Sequence, residues 1–448
     1  MEDHKQKKLF EELPPAKAVL AAAVPTALSQ IISIVYNTAD TFFMGQLGDP
    51  NRIAAVAIAA PLALILTALA NLLGIGGAGV FAASIGEKKE QNARAASSFA
   101  ILTSIGIGAV FMIVILAFFD PIMMLLGANT DNLPFVKEYV FWACAAGAIP
   151  SLTGMVLSHF VRADGEPKLA GGILSASGIL NFILDPVFIF DWGLGWGITG
   201  AAAATFAANL FTAAAFTVYF LRRRGATLVN VTSAGSCTPK LAGRILGAGL
   251  PGMLQTLLAS VSNMVLNNLA GLYGSSAQAA FGVVKKLDQV PMSITIGFAQ
   301  GIVPLAAYNH ASGCFEREKK ILKAALAMTV GISLVFVVIY ECFAGGLIRF
   351  FIDDAATVAA GIPILRIMCV STPLMAVPFV ITTAFQATKK ARYALILSVL
   401  RKGALDIPLM FLMNLLIPFI GIAFAQPAAE GIAMAAALWM YRKFYSEY

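Results

Sequence analysis

The sequence predicts an all-α polytopic membrane protein, with twelve transmembrane helices in two pseudo-symmetric six-helix bundles. Three observations predict it: composition, an internal repeat, and the placement of Lys and Arg. Of 448 residues, 59% are hydrophobic and only 12% charged, whereas soluble domains carry about 25% charged residues. Mean hydropathy is +0.81. The apolar stretches reach the roughly 20 residues that a membrane helix needs, not the ~10-residue alternating segments of a barrel.

The repeat is visible near the start of each half. Residues 24–48 read VPTALSQIISIVYNTADTFFMGQLG, and residues 250–274 read LPGMLQTLLASVSNMVLNNLAGLYG. Pro25 aligns with Pro251, Asn37 with Asn263 and Gly48 with Gly274 at a constant offset of 226, while Asp40 falls on Leu266. FVRADGEPKLA at 160–170 is echoed by TAFQATKKARY at 383–393, and GWGITGAAAAT at 195–205 by FIGIAFAQPAA at 419–429. The common order makes these weak matches a duplication.

Taken in order, the predicted spans are 16–45, 53–84, 93–118, 134–162, 168–190, 195–221, 240–272, 276–307, 318–347, 360–386, 391–415 and 420–441. Several exceed the crossing length, so tilt or protrusion is expected. The organisation follows: an N-terminal segment, 1–15; an N-lobe of helices 1–6, 16–221; a Ser-, Thr- and Gly-rich linker, 222–239; and a C-lobe of helices 7–12, 240–448. Lys and Arg set the orientation. One side carries Lys5, Lys7, Lys8, Lys17, Lys88, Lys89, Arg94, Arg162, Lys168, Arg222 to Arg224, Lys240, Arg244, Arg317, Lys319, Lys320, Lys323, Lys389, Lys390, Arg392, Arg442 and Lys443. The other side carries only Arg52, Lys137 and Arg349. Both termini are therefore expected in the cytoplasm and the two repeats parallel. The net charge of +7 reflects this bias, not a nucleic-acid surface.

The N-terminus, MEDHKQKKLFEELPPAK, lacks the apolar core of a signal peptide, and a plasma (inner) membrane location is expected. The cysteines Cys144, Cys237, Cys314, Cys342 and Cys369 form no CxxC pair and read as packed or idle thiols. His4, His159 and His310 are far apart, and HExxH, GxSxG and Walker-type loops are missing. GIGGAG at 74–79 lies in an apolar span and reads as close helix packing. The chain is thus expected not to be an enzyme or ATP-driven pump; energy would come from an ion gradient or a partner chain.

The acids inside spans are Asp40, Asp185, Asp288, Glu341, Asp406 and Glu430. Tyr36 precedes Asp40 by one turn, and Asn181 precedes Asp185 by one turn, so each acid shares a helix face with a neutral polar residue. A carboxylate withdrawn from water needs a proton or a cation to neutralise it, and two neighbouring carboxylates titrate together. The pair suits exchange of a proton, Na⁺ or a cationic substrate; the alternative is that each Asp braces its helix. Pro25 and Pro251 sit inside the first and seventh spans, as hinges or as static kinks. Lys285 and Asp288 are spaced to pair, Asp406 reads as partner to Arg401 or Lys402, Glu430 as a brace after Gln426-Pro427, and Glu341 as reaching water near an outer end.

These residues resemble the MATE (multidrug and toxic compound extrusion) transporters, over about residues 14–444. YNTADTFFMGQLG, RADGEPK, NFILDPVFIF, GITGAAAAT and QGIVPLAAYNHASG carry the likeness. The resemblance, nearest to the DinF-like branch, implies two six-helix lobes around a V-shaped cavity and alternating access coupled to H⁺ or Na⁺. It implies a coupling cluster of Tyr36, Asp40, Asn181, Asp185 and Thr205, and a bend of helix 1 at Pro25. In helix 7, where other branches carry a Glu, this chain has Gln255, Asn263, Asn267 and Asn268.

The expected function is secondary active multidrug efflux, exporting amphipathic organic cations by antiport with H⁺ or Na⁺. Asp40 and Asp185 would accept the coupling ion, holding it as a metal if that ion is Na⁺, while Asn37, Gln255, Asn263 and Asn267 would line the substrate cavity. No cofactor is expected. The expected partners are small cationic amphiphiles and the lipid bilayer, with no nucleic acid, and the protein is expected to be a monomer. The alternatives are a lipid-linked saccharide flippase of the same superfamily, and a passive channel or scaffold.

Overall fold

The computed structural model describes residues 7–46, 50–128, 130, 132–223, 225–352, 354–388 and 390–444. His4, Lys5, Gly48, Arg224 and Lys389 lie outside them. Helices fill nearly all of the described chain, and no strand occurs among those residues. That is what hydrocarbon demands: a helix satisfies every backbone N–H and C=O within its own segment. The α-helices of eight residues or more are α1 (Pro15–Gly45), α2 (Pro50–Gly86), α3 (Glu90–Ala117), α4 (Leu133–Val140), α5 (Ala148–Ala163), α6 (Pro167–Ile189), α7 (Gly197–Arg222), α8 (Pro239–Gly271), α9 (Ser275–Ala311), α10 (Phe315–Phe351), α11 (Ala355–Cys369), α12 (Ser371–Ala387), α13 (Ala391–Val399), α14 (Asp406–Leu416) and α15 (Ile420–Phe444).

Ten of the twelve predicted spans are helical stretches long and apolar enough to cross a membrane among the described residues. The other two are interrupted. The span predicted at 134–162 is α4 and α5, bent by 41°. A π-helical stretch, Phe141–Ala146, and Gly147 lie between them. A methyl group on Gly147 would overlap the carbonyl oxygen of Ala143, so only glycine fits the tight inner side of this bend. The span predicted at 391–415 is α13 and α14 joined by a second π-helical stretch, Leu400–Leu405, which carries the buried Arg401 and Lys402. Such bulges break the helical ladder locally and recur at functional positions.

The described chain forms two compact units. One comprises the described residues up to Glu12 with Leu28–Met253, and the other Leu13–Ala27 with Leu254 onward. Each unit therefore contains most of one repeat plus the leading segment of the other repeat's first helix. Both boundaries fall two residues beyond the aligned prolines Pro25 and Pro251.

Small residues seat those leading segments. In the first unit, a methyl on Gly76 of α2 would meet Ile245 O and come within 2.8 Å of Gly249 N on α8. In the second, a methyl on Gly301 of α9 would lie 2.7 Å from Ala22 O and 2.8 Å from Ala23 Cα on α1. Backbones this close are the packing mode of membrane helices, where lipid tails remove any hydrophobic drive and van der Waals contact must replace it. The expectation for GIGGAG holds, since a methyl on Gly77 would also lie 2.9 Å from both Ala100 Cβ and Phe160 Cζ. Each unit has its own core: Met44, Leu62, Met123, Val136 and Ile189 in the first, and Phe281, Val284, Ile348, Leu365 and Met368 in the second.

Candidate functional site

Helices α1 and α6 meet along a seam in the first unit. On α1 the residues Ile32, Tyr36 and Asp40 repeat every four positions; on α6, Gly178, Asn181 and Asp185 repeat at three and four, so each set occupies one helix face. Gly178 lets the helices touch. A methyl there would lie 2.8 Å from Tyr36 Cδ1 and 2.9 Å from Ile32 Cγ2. Further along the same faces, Asp40 and Asp185 lie within electrostatic reach of each other. Asp185 is wholly buried and Asp40 partly so.

Neither carboxyl group is compensated. Asn181 Nδ2 donates to Asp185 Oδ1 at 3.3 Å. Asp185 Oδ2 and Asp40 Oδ1 are buried without a hydrogen-bond partner. Among the described residues no Lys or Arg forms a salt bridge with either. Two acids sharing a dry seam, each with a free lone pair, can take up a proton or a small cation.

The other expected residues divide. Tyr36 packs on Gly178, but its hydroxyl accepts from Ser33 Oγ at 3.4 Å and makes no hydrogen bond to Asp40. At one turn's separation on one helix, the phenol ring extends past its neighbour onto α6. Thr205 is partly buried on α7 and makes no hydrogen bond among the described residues; α7 is tied to α6 by Ser177 Oγ donating to Ala208 O at 2.7 Å. Asn37 is exposed and its Nδ2 donates to its own helix, to Ser33 O at 2.7 Å. In the second unit Gln255 is partly buried, while Asn263 and Asn267 are exposed. Pro25 lies inside an unbroken α1.

Sequence reasoning missed Tyr139 and Cys144. Tyr139 lies within electrostatic reach of Asp40 and Asp185, and Cys144 within reach of Tyr139. The string KEYVFWACAAG contained the signal, an aromatic hydroxyl near the start of an apolar span.

The sequence matches the MatE family twice, over residues 25–187 and 251–412. The chain belongs to that family. A MatE protein is a membrane transporter, not an enzyme, and needs no cofactor. The two matched segments begin at the aligned prolines, one in each half of the chain. Multidrug export protein MepA of Staphylococcus aureus strain N315 is 32% identical over 435 residues, covering 96% of this chain and 95% of that protein. The protein of the same name from Staphylococcus saprophyticus is 32% identical over 433 residues, with 96% and 95% covered. Among solved structures, a MATE in complex with MaL6 superposes with a TM-score of 0.92 at 22% identity, covering 99% of this chain and 98% of that one. An outward-facing multidrug resistance MATE family transporter of the MOP superfamily gives 0.91 at 23% identity, covering 98% of each. The all-α two-repeat fold is thus the MATE fold.

Proposed function

We propose that this MatE protein is a multidrug exporter that expels amphipathic organic cations by antiport, with H⁺ or Na⁺ taken up at Asp40 and Asp185. The observation that carries the reading is the uncompensated pair: two carboxyl groups from α1 and α6, each with a buried oxygen lacking a partner. A charge left bare at such depth is costly and marks an ion path. Ion uptake neutralises the pair and favours one arrangement of the lobes; cargo favours the other, and that difference in affinity drives exchange. Asn181 orients Asp185, Tyr36 braces the seam, and Thr205 completes the cluster from α7. Asn37, Gln255, Asn263 and Asn267 offer polar contacts to cargo, and Pro25 is the hinge. The repeats 16–221 and 240–448, joined by 222–239, are the two lobes. The protein works as a monomer in the plasma membrane with both termini cytoplasmic, following the Lys and Arg bias.

The test is efflux of a fluorescent organic cation from vesicles under imposed pH or Na⁺ gradients. Wild type exports under one of the two. Asp40→Asn and Asp185→Asn remain folded and lose gradient-driven export. Full export by either variant removes that residue from the mechanism.

A further inference from the structure

Helices α6 and α7 carry Asn181, Asp185 and Thr205 of the candidate site. A hydrogen bond from Ser177 Oγ to Ala208 O, at 2.7 Å, joins them. Beyond it, toward the start of α6 and the end of α7, the two helices leave a cavity of about 300 Å³ between them. Leu169 and Ile173, one turn apart on α6, form one wall, and Ala215 and Val218 of α7 form the other. All four are apolar.

The end of the cavity at the last turn of α7 is polar, lined by Tyr219, Arg222 and Arg223. Arg223 is committed. It lies 3.6 Å from Asp164 and 3.7 Å from Glu166, and it donates to the hydroxyl of Tyr219, which donates in turn to Asp164 Oδ2 at 3.1 Å. Asp164 and Glu166 are thus balanced by this arginine, and neither lines the cavity. Arg222 is exposed and, among the described residues, makes no hydrogen bond or ion pair; the same holds for Lys168, the residue before Leu169. A cation at the end of a helix offsets the helix dipole, but that role calls for no apolar cavity beside it.

We propose that this cavity binds one anionic phospholipid: an acyl chain lies between Leu169, Ile173, Ala215 and Val218, and its phosphate meets Arg222 and Lys168. The planar guanidinium fork matches a phosphate, and basic pockets between membrane helices hold anionic headgroups. Other occupants fit less well. A cationic cargo would meet two uncommitted cations at the rim. Free phosphate would leave the apolar walls unused. A partner helix is about 10–12 Å across, whereas this cavity lies at the lower end of the roughly 300–1,000 Å³ of small-ligand sites. The lipid packs against both helices that carry Asn181, Asp185 and Thr205. Which leaflet supplies it rests on the orientation proposed above; the binding itself does not.

Native mass spectrometry of the full-length, delipidated protein in detergent tests it, with phosphatidylglycerol and phosphatidylcholine of the same acyl chains as probes. Wild type takes up one phosphatidylglycerol ahead of any phosphatidylcholine, and the preference weakens as salt rises. Arg222→Gln and Lys168→Gln each weaken that first step by about fivefold. Both positions are exposed, so these variants keep the fold. Lys323→Gln removes an equally exposed cation from α10 in the second unit and leaves the step unchanged. Ala215→Phe fills the apolar part and weakens the step; where it fails to fold by circular dichroism, Val218→Trp serves instead. Inorganic phosphate does not compete. Equal uptake of the two lipids, an unchanged first step in Arg222→Gln, the same loss in Lys323→Gln, or displacement by inorganic phosphate overturns the proposal. Transport is not measured, so failure of this site and failure of the efflux assay are separate results.

Discussion

Gly178 on α6 lies directly against Tyr36 on α1, and a methyl group on Gly178 would come 2.8 Å from the Tyr36 ring. The contact sets how closely the faces bearing Asp40 and Asp185 approach. Gly178→Ala is expected to destabilise the protein by about 1–3 kcal/mol through overpacking. Because the ring is the obstacle, Tyr36→Ala in the same chain should recover part of that loss, with a coupling of about 0.5–3 kcal/mol. A double-mutant cycle by thermal unfolding in detergent measures both, and strict additivity would show that the ring is not what Gly178 accommodates.

The glycines of α8 make opposite predictions a few residues apart. A methyl on Gly249 would overlap the Leu72 carbonyl, a backbone atom that cannot rotate away, whereas Gly247 has nothing within 4 Å. Gly249→Ala should therefore cost about 1–3 kcal/mol or more. Gly247→Ala should gain up to about 1 kcal/mol from helix propensity alone. Melting temperatures of the two variants, compared with wild type, should move in opposite directions.

Much of the fold could be read from periodicity and repeats because hydrocarbon permits so few structures. All twelve apolar stretches are helical, and GIGGAG packs as its small residues require. What could not be read is where a helix is interrupted. The π-helical stretch at 400–405 exists where Arg401 and Lys402 are buried against partners on other helices, a tertiary effect without a local pattern. At the site, Asn181 and Asp185 were legible because i,i+4 spacing fixes a shared face. Tyr36 obeyed the same spacing, yet its ring points onto α6. Tyr139 reaches Asp40 and Asp185 from a different helix, and Gln426 Nε2 donates to Asp288 Oδ2 across 138 residues, both beyond any local pattern.

Asp164, in the turn between α5 and α6, predicts a pH dependence of stability. Burial pushes its carboxyl up from 3.8 to about 6, against the opposing pull of hydrogen bonds from Thr227 and Tyr219 and of Arg223. Thr227 Oγ1 donates at 2.7 Å and Tyr219 at 3.1 Å, with Arg223 at 3.6 Å. The folded carboxyl holds its proton more tightly than the unfolded one. Its contribution is therefore full below the unfolded value and lost as pH rises through about 6. A rise of roughly two units corresponds to about 3 kcal/mol. Asp164→Asn keeps one acceptor oxygen, for Thr227, and cannot ionise. It should flatten the decline in melting temperature between about pH 4 and about pH 7; an unchanged slope would place the titrating group elsewhere.

Arg401 Nε donates to both carboxylate oxygens of Glu430, at 2.8 and 2.7 Å. With both groups almost wholly buried, removing one strands the other's charge, which costs about 3–5 kcal/mol, whereas replacing both with apolar residues is often neutral or stabilising. Arg401→Met should therefore be severely destabilising, because only Lys402, at 3.8 Å and already bound to Asp406, remains for Glu430. Glu430→Met should cost less, since the Arg401 guanidinium keeps its stacking 3.9 Å over the Phe379 ring. The double replacement Arg401→Met/Glu430→Met should return close to wild-type stability. Thermal unfolding of the three variants gives the order directly: Arg401→Met lowest, Glu430→Met intermediate, the double highest. A double variant no more stable than Arg401→Met alone would mean that the two side chains act through separate contacts, despite the two hydrogen bonds between them.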